Sequence, residues 1–321
     1  MKRSFLLLSI ALLAVGLSGA LAAGQTAISV LDIEPGVRAL GVGGAAVALA
    51  DGPEALYYNS AGLAELAGIG FTSSYTSYLG LAGYTALGLA ARNWGVGFLM
   101  LNSGNIPGYN ADGTSTDALS YGSTAVLLGF GVDPKQFPFI PALPIDFRVG
   151  GRFKYLSVTN GNTNGTGFGL DLAYRMGFPD MRLGPVAISD VGFGATATNI
   201  IGALNYDDRS ESLRMDLRFG LSARLARMVL VTADIELGGS FHFGAEYSPT
   251  QMLAVRVGIL TEPGATSLTA GLGVNVEGFV IDYAFVSHPV LPASHRVSLT
   301  IDFSGLNLGG LASRLRSLLP F

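Results

Sequence analysis

The chain contains no cysteine. That removes disulfides, thiolate nucleophiles and Cys-type zinc sites together. Charge is also scarce. Asp, Glu, Lys and Arg make up 13% of the residues, against about 25% in an ordinary soluble domain. No basic excess exists either: 19 Lys and Arg face 23 Asp and Glu, a net charge of −4. A nucleic-acid partner would call for a basic stripe, so that class is excluded. Past residue 24 no uncharged apolar run reaches the ~18 residues that a spanning helix needs. What remains is apolar and glycine-rich: 49% hydrophobic residues, 45 glycines and a mean hydropathy of +0.45. That balance points to a membrane or a fibre rather than the cytosol.

Residues 1–23 read as a secretory leader. Lys2 and Arg3 form the charged start, Phe5 to Val15 the apolar core, and Ala20-Leu21-Ala22 a small-x-small cleavage site. An exported, hydrophobic chain without a spanning helix has one remaining way across a bilayer. A closed β-barrel pairs every backbone group.

Period-2 alternation supports that choice. In 145–155, Ile145, Phe147, Val149, Phe153 and Tyr155 alternate with Asp146, Arg148, Arg152 and Lys154. In 213–224, Leu213, Met215, Leu217, Phe219 and Leu221 alternate with Arg214, Asp216, Arg218, Ser222 and Arg224. The same holds in 168–175, 229–237, 241–248, 279–285 and 296–303. One face is greasy and nearly free of charge, as lipid demands; the other carries both signs. Further segments at 68–79, 82–92, 94–103, 117–131, 186–199, 251–261 and 265–275 bring the count to roughly fourteen, an even number as single-chain outer-membrane barrels require. Alternation is weakest in 68–79 and 82–92.

Connection lengths give a second test. Short turns are expected at Arg92-Asn93, Leu225 to Met228, Pro249-Thr250 and Val276 to Gly278. Longer external loops are expected at Gly104 to Thr116, Thr159 to Asn164, Ile200 to Ser210 and Ser287 to Ala293. The Pro-rich stretch Val132 to Pro144 breaks the rule as a long periplasmic turn. Phe303 is the expected closing residue of the barrel.

A barrel this wide exceeds what its own side chains can fill, so it holds a channel or a plug. Gly36 to Leu63 is the long mature segment without strand alternation. Its small residues suit close packing against a curved wall. Asp51-Gly52-Pro53 reads as a helix cap with Pro at the start. Glu54 to Tyr58 follows as a short helix stopped by Asn59 and Gly62.

The run A-L-G-V-G-G-A-A-V-A-L-A-D-G-P-E-A-L-Y-Y-N-S-A-G-L at 39–63 resembles the N-terminal signature of the PorV/PorQ and UPF0164 group of outer-membrane barrels, relatives of the FadL-like long-chain fatty-acid transporters. F-G-A-E-Y-S-P at 243–249, L-A-V-R-V-G at 253–258, I-D-Y-A-F at 281–285 and H-R-V-S-L at 295–299 agree with it. The resemblance implies a fourteen-stranded barrel with an N-terminal plug. It also implies plug or gate roles for Gly41, Gly43, Gly44, Asp51, Tyr57, Tyr58, Asn59, Ala61 and Gly62. In FadL-like relatives an N-P-A element in the plug governs substrate passage. Here Ser60 stands where the family prefers Pro, and Tyr58 where Trp is common, which sets a Pro-dependent gating conformation in question. Some members carry hydrophobic molecules inward; PorV-type members hold secreted proteins for a type IX secretion system.

Other chemistry finds little support. Gly41-Val42-Gly43 with Ala46 fits G-x-G-x-x-A, yet Glu34-Pro35-Gly36 precedes it where a nucleotide site needs a buried strand. His242 and Glu246 share a strand face about 13 Å apart, too far for a catalytic pair. His288 and His295 lack a third ligand at metal spacing. Asp112 and Asp207-Asp208 give a weak calcium signal. No G-x-S-x-G motif occurs, so a lipase is not expected.

The inward polar set is Arg148, Arg152, Lys154, Asp171, Arg175, Arg214, Asp216, Arg218, Asp234, Glu236, Arg256, Asp282, Arg296 and Asp302. It reads first as an ion-pair ladder bracing the lumen. The alternative is that some arginines meet an anionic head group in transit, a task that suits the forked guanidinium. At the far end Leu311, Leu315 and Leu318 share a helical face beside Arg314 and Arg316, as an amphipathic helix on the inner leaflet or a frayed end.

The expectation is an all-β membrane protein: an antiparallel transmembrane β-barrel of roughly fourteen strands with a short Gly/Ala-rich N-terminal plug. The leader covers 1–23, the plug 24–66, the barrel 67–304 and the tail 305–321. No enzyme activity, cofactor or metal is expected. The expected surroundings are outer-membrane lipid, with a fatty-acid-like ligand or a detergent in the lumen, and the expected state is a monomer. The expected function is passage of hydrophobic small molecules across the outer membrane. The alternatives are PorV-like docking of secreted proteins and a purely structural barrel.

Overall fold

The computed structural model of the chain describes residues 29–49, 51–78, 82–110, 112–137, 146–161, 163–206, 209–304 and 306. The leader at 1–23, Ile145, Asp207-Asp208 and the tail at 311–319 lie outside them.

Fourteen antiparallel strands form the wall. They are β1 (Gly70–Tyr78), β2 (Ala82–Ala91), β3 (Trp94–Tyr109), β4 (Ser115–Val132), β5 (Asp146–Asn160), β6 (Thr163–Gly177) and β7 (Val186–Tyr206), followed by β8 (Asp216–Leu225), β9 (Val229–Glu236), β10 (Phe241–Tyr247), β11 (Leu253–Glu262), β12 (Ala265–Val276), β13 (Phe279–Val286) and β14 (Ser294–Asp302). Two three-residue pieces, Met181–Leu183 and Ser210–Ser212, pair with the ends of β7. Each strand pairs with its sequence neighbour. β14 returns to β1 from Gly70↔Asp302 to Thr76↔Arg296, which closes the barrel. Closure leaves no unpaired edge, the condition for a sheet inside a bilayer.

Alternation decides which face is which. Leu87, Val96, Phe98, Leu128, Phe168, Phe243, Val257, Leu272, Ile281 and Val297 point outward and are exposed. Asp171, Asp234, His242, Glu246, Arg256 and Asp282 point inward and are buried. An Arg or Lys on the outer belt would cost about 2–4 kcal/mol at midplane.

The four expected short turns fall at the end that holds Ser304, but Pro263-Gly264 and the link from Asn160 to Thr163 are just as tight at the opposite end. Arg92-Asn93 turns β2 into β3, and Glu277-Gly278 turns β12 into β13. The stretch after β4 is long, with a 3-10 turn at Pro134–Gln136, and so is 178–185 after β6, which carries Met181–Leu183. Phe303 lies one residue past β14, and its N–H donates to the Ile69 carbonyl at 3.0 Å.

Three expectations need correction here. The stretches 104–116, 159–164 and 200–210 are largely not loops. β3 and β4 stay paired out to Tyr109↔Ser115, β5 and β6 to Asn160↔Thr163, and β7 continues to Tyr206. Polar strand ends still need partners for their backbone groups, and the facing strand supplies them. Second, Leu213 and Met215 precede β8 rather than belong to it, and Leu213 packs inward against the core. Third, the cap at Asp51-Gly52-Pro53 does not form as expected. The N-cap of the α-helix Ala55–Tyr58 is Glu54, without a side-chain bond, and Asp51 pairs with Arg38. Gly62 does not stop this run either; it sits within a 3-10 turn at Ser60–Glu65.

Candidate functional site

Residues 29–66 run inside the barrel before β1. A capping box opens the segment: Ser29 Oγ accepts from Leu31 N, and the Asp32 carboxylate accepts from Ser29 N at 2.7 Å. A five-residue helix, Val37–Gly41, follows. Gly43 and Gly44 then turn at φ +72° and +77°, where a side chain would be strained.

The amides of 42–45 bond within the segment, to the carbonyls of Ala39, Leu40 and Val42, while the wall supplies partners for the carbonyls of Gly41, Gly43, Gly44 and Ala45 and for the next two amides. Thr269 Oγ1 donates to the Gly41 carbonyl and accepts from Gly43 N. His242 Nδ1 lies 2.9 Å from the Gly43 carbonyl. Arg218 donates to the Gly44 carbonyl at 2.5 Å, and Thr232 to that of Ala45 at 3.0 Å. The Asp234 carboxylate accepts from both Ala46 N and Val47 N. Asn59 ties the two halves of the segment to the wall: its Nδ2 donates to the carbonyls of Val47 and Tyr174, and its Oδ1 accepts from Ala61 N.

The wall makes room with glycine. A Cβ at Gly194 would lie 2.2 Å from the Val47 carbonyl oxygen, and one at Gly244 would lie 2.3 Å from that of Val42. At Gly258 it would meet Gly43 N at 2.2 Å, and at Gly131 the Ser60 carbonyl oxygen at 2.3 Å. Backbone packs on backbone around much of the circumference, which accounts for much of the glycine content.

The two sides of the lumen differ. Toward β2–β5 the contact is apolar: Val30, Ile33, Leu56 and Leu63 pack with Ala86, Leu99, Leu101, Ala125, Leu127 and Leu156. Toward β5–β14 it is ionic. Arg152 and Lys154 share Asp171 at 2.7 and 2.6 Å. Arg152 also donates to the carbonyls of Leu56 and Tyr57. Arg148 meets Asp146 at 2.5 Å and Glu65 at 3.2 Å, and Arg175 meets Glu65. Arg214 bridges Asp216 and Glu236. Arg218 meets Glu34 at 2.9 Å and Asp234 at 3.3 Å. Arg256 sits between Glu246 at 2.7 Å and Asp282 at 2.6 Å, and Arg38 continues the chain from Glu246 to Asp51. Arg296 donates to the Glu34 carbonyl.

The sequence missed three members of this ladder, Glu34, Arg38 and Glu65, which lie on the segment itself together with a fourth charge, Glu54, that makes no ion pair among the described residues. Their signal was being charged in a stretch otherwise nearly free of charge. Burial pushes the Glu34 carboxyl up, but Arg218, His242 and the Tyr58 hydroxyl together hold the group below its ordinary value. Glu54 goes the other way. Burial first, then the Asp282 carboxylate, lift it to about 7.

The other candidates disperse. His242 and Glu246 face the lumen with separate partners. His288 accepts from the amides of Val290 and Leu291, and His295 lies 2.7 Å from the Tyr283 hydroxyl. Among the described residues no group of three or more His, Asp or Glu is placed to hold a metal ion. Asp112 is bonded to Thr114 in its own turn. The Gly41-Val42-Gly43 stretch is a turn pressed on the wall, with no strand before it.

Two cavities flank the segment. A vestibule of about 780 Å³ opens at the end of the barrel that holds Ser304, lined among others by Arg38, Asp51, Glu54, Glu277, Asp282 and Asp302. A smaller cavity of about 100 Å³ lies between the segment and the wall, where Leu31, Ile33, Tyr57, Leu99 and Leu127 meet Lys154, Asn199 and Asp216. Beside it the wall is irregular. Asn199 bulges at φ +52° with its N–H on Asp171, and the β7–β8 ladder ends at Thr198↔Asp216.

No family model matches the chain, and no curated protein matches it in sequence. Among solved structures, the toluene transporter TodX of Pseudomonas putida is similar in fold, with a TM-score of 0.53 and 11% sequence identity over 85% of this chain and 98% of that one. A FadL homologue of Pseudomonas aeruginosa gives 0.51 and 9%, covering 84% of this chain and 98% of its own. Both are FadL-family outer-membrane barrels, and the likeness is one of fold.

Proposed function

We propose that the protein passes hydrophobic small molecules across the outer membrane, and that residues 24–66 act as its plug. The observation that carries this reading is the closed barrel with a small-residue segment hydrogen-bonded across its bore. The transport named for the toluene transporter supports the same class for this chain. The run at 39–63 supports a place near the PorV/PorQ group.

The cavity beside Leu99 and Asn199 holds about 100 Å³. A ligand pocket for a drug-sized molecule needs about 300–1,000 Å³. Passage therefore requires the segment to shift, or the wall to part where the β7–β8 ladder ends. The inward arginines are engaged with carboxylates or carbonyls, so the ladder reading of these charges is favoured over head-group capture.

Liposomes containing the purified protein should take up toluene or a labelled fatty acid faster than empty liposomes. Equal uptake would overturn the reading. A PorV-like docking role has one observation in its favour: the β3–β4 hairpin carries exposed Ile106 and Tyr109 near its tip. Co-purification of a secreted protein, lost on trimming that hairpin, would favour docking instead.

A further inference from the structure

The smaller cavity is bordered by a side chain with one end unbonded. Asn199 sits on the β7 bulge at φ +52°, and its Nδ2 donates to the Arg214 carbonyl at 2.8 Å. That bond fixes which way the amide faces, because a carbonyl oxygen accepts only from the N–H side. Asn199 Oδ1 is then the other end, buried and without a hydrogen bond among the described residues. A buried acceptor without a donor is unfavourable, so a ligand that brings one is favoured.

The Lys154 ammonium stands close by. A Cβ on Gly169 would lie 2.9 Å from Asn199 Oδ1 and 3.0 Å from Lys154 Cε, so the two side chains converge over a recessed glycine. Lys154 is 3% exposed, and its partner among the described residues is Asp171 at 2.6 Å. An ammonium carries three N–H donors, more than that pair uses. Leu31, Ile33, Leu99 and Leu127 supply the apolar side of the cavity.

Charge rules out two ligand classes. The lining holds two cations, Arg152 and Lys154, and two carboxylates, Asp32 and Asp216. All four are engaged: Asp171 takes both cations, Arg214 holds Asp216, and the Ser29 amide donates to Asp32. An arriving carboxylate or ammonium would be a buried charge without compensation. A hydrocarbon would leave Asn199 Oδ1 as it is. A hydroxyl both gives and takes a hydrogen bond.

We infer that this cavity takes the hydroxyl of a hydrophobic alcohol or phenol, which donates to Asn199 Oδ1 and accepts from Lys154 while its apolar part lies against Leu31, Leu99 and Leu127. A cavity of about 150 Å³ encloses benzene. At about 100 Å³ this one encloses the hydroxyl end and part of a ring. The inference rests on the transport reading for treating that molecule as cargo, but binding is measured without transport.

Phenol and toluene differ by a hydroxyl in place of a methyl, which makes them the probes. Each is titrated by calorimetry into the full chain in lipid nanodiscs, with empty nanodiscs as the blank. Phenol should bind. Asn199→Gly suits the positive φ and removes the acceptor. Lys154→Met keeps the unbranched apolar stem and removes the donor. Each should lower phenol affinity about tenfold, equivalent to about 1.4 kcal/mol, and toluene affinity by less than about twofold, with the barrel intact by thermal unfolding. A second measurement uses the parent alone: cyclohexanol should displace phenol, whereas benzoate and cyclohexylammonium should not. Absence of phenol binding in the parent would overturn the inference. So would equal losses of phenol and toluene in the variants, or displacement of phenol by benzoate. Liposomes that take up neither compound, from a protein that still binds phenol through Asn199, would overturn transport and leave the hydroxyl site standing.

Discussion

The Asp234 carboxylate holds the backbone amide of Val47 at 3.0 Å, across 187 residues of chain. The same oxygen takes the amide of Ala46 at 2.9 Å. Two donors in an irregular stretch thus depend on one side chain of β9. A buried donor left without a partner costs about 1–3 kcal/mol. Asp234→Ala should therefore loosen residues 41–48 while the strand ladders persist. Amide exchange at Ala46 and Val47 is expected to rise by tenfold or more, with little change in β12–β14. Uniform exchange across all of these would contradict the assignment.

Close backbone contact predicts a different lesion. A methyl at Gly258 would lie 2.2 Å from Gly43 N, and backbone has no rotamer through which to yield. Overpacking of this kind costs about 1–3 kcal/mol. Gly258→Ala should lift the segment off the wall and open Arg38 to trypsin. Gly83→Ala is the matched control, since its nearest neighbour would be the Tyr75 hydroxyl at 3.7 Å. It should be cut no faster than the parent.

Glu54 gives the segment a pH dependence. Its carboxyl sits at about 7 in the folded chain, through burial and then Asp282, against an ordinary value of 4.5. Below about pH 4.5 it is neutral in both folded and unfolded chains, so it contributes no difference. As pH rises from about 4.5 to about 7 the unfolded chain gives up this proton while the folded one retains it. Stability from this group therefore falls through that window and levels off above it. The urea midpoint should drop between pH 5 and pH 8, and Glu54→Gln should flatten that part of the curve. An unchanged slope in the variant would assign the dependence elsewhere.

What could be read in advance follows from the range of each signal. Alternation is local, so Phe168 outward and Asp171 inward were legible from a few residues. The strand ends were not, because the pairing of Tyr109 with Ser115 supplies partners that polar composition does not advertise. The interior was half legible. The small residues at 41–48 pointed to close packing, but not to what they pack on. Gly258 and Gly43 touch across more than two hundred residues, and neither glycine looks unusual alone. Arg38 and Glu34 lay in view as lone charges in an uncharged stretch, while their partners Glu246 and Arg218 were assigned only to the wall.

Between β7 and β8 the wall is irregular. The β7–β8 ladder ends at Thr198↔Asp216, and beyond it Leu213 spans the gap, with its N–H on the Gly202 carbonyl at 3.1 Å. Its side chain fills the space over Gly169 and Gly202, where a Cβ would come within 3.3 and 3.0 Å of it. The cavity lined by Asn199 and Asp216 lies beside this gap. If hydrophobic cargo leaves sideways into lipid, Leu213 stands in its path. Leu213→Ala should then raise liposome uptake and Leu213→Trp should lower it, with both barrels intact by thermal unfolding. If cargo instead crosses through the vestibule, neither change alters uptake. Blocking Gln251→Cys with a bulky maleimide would then lower it.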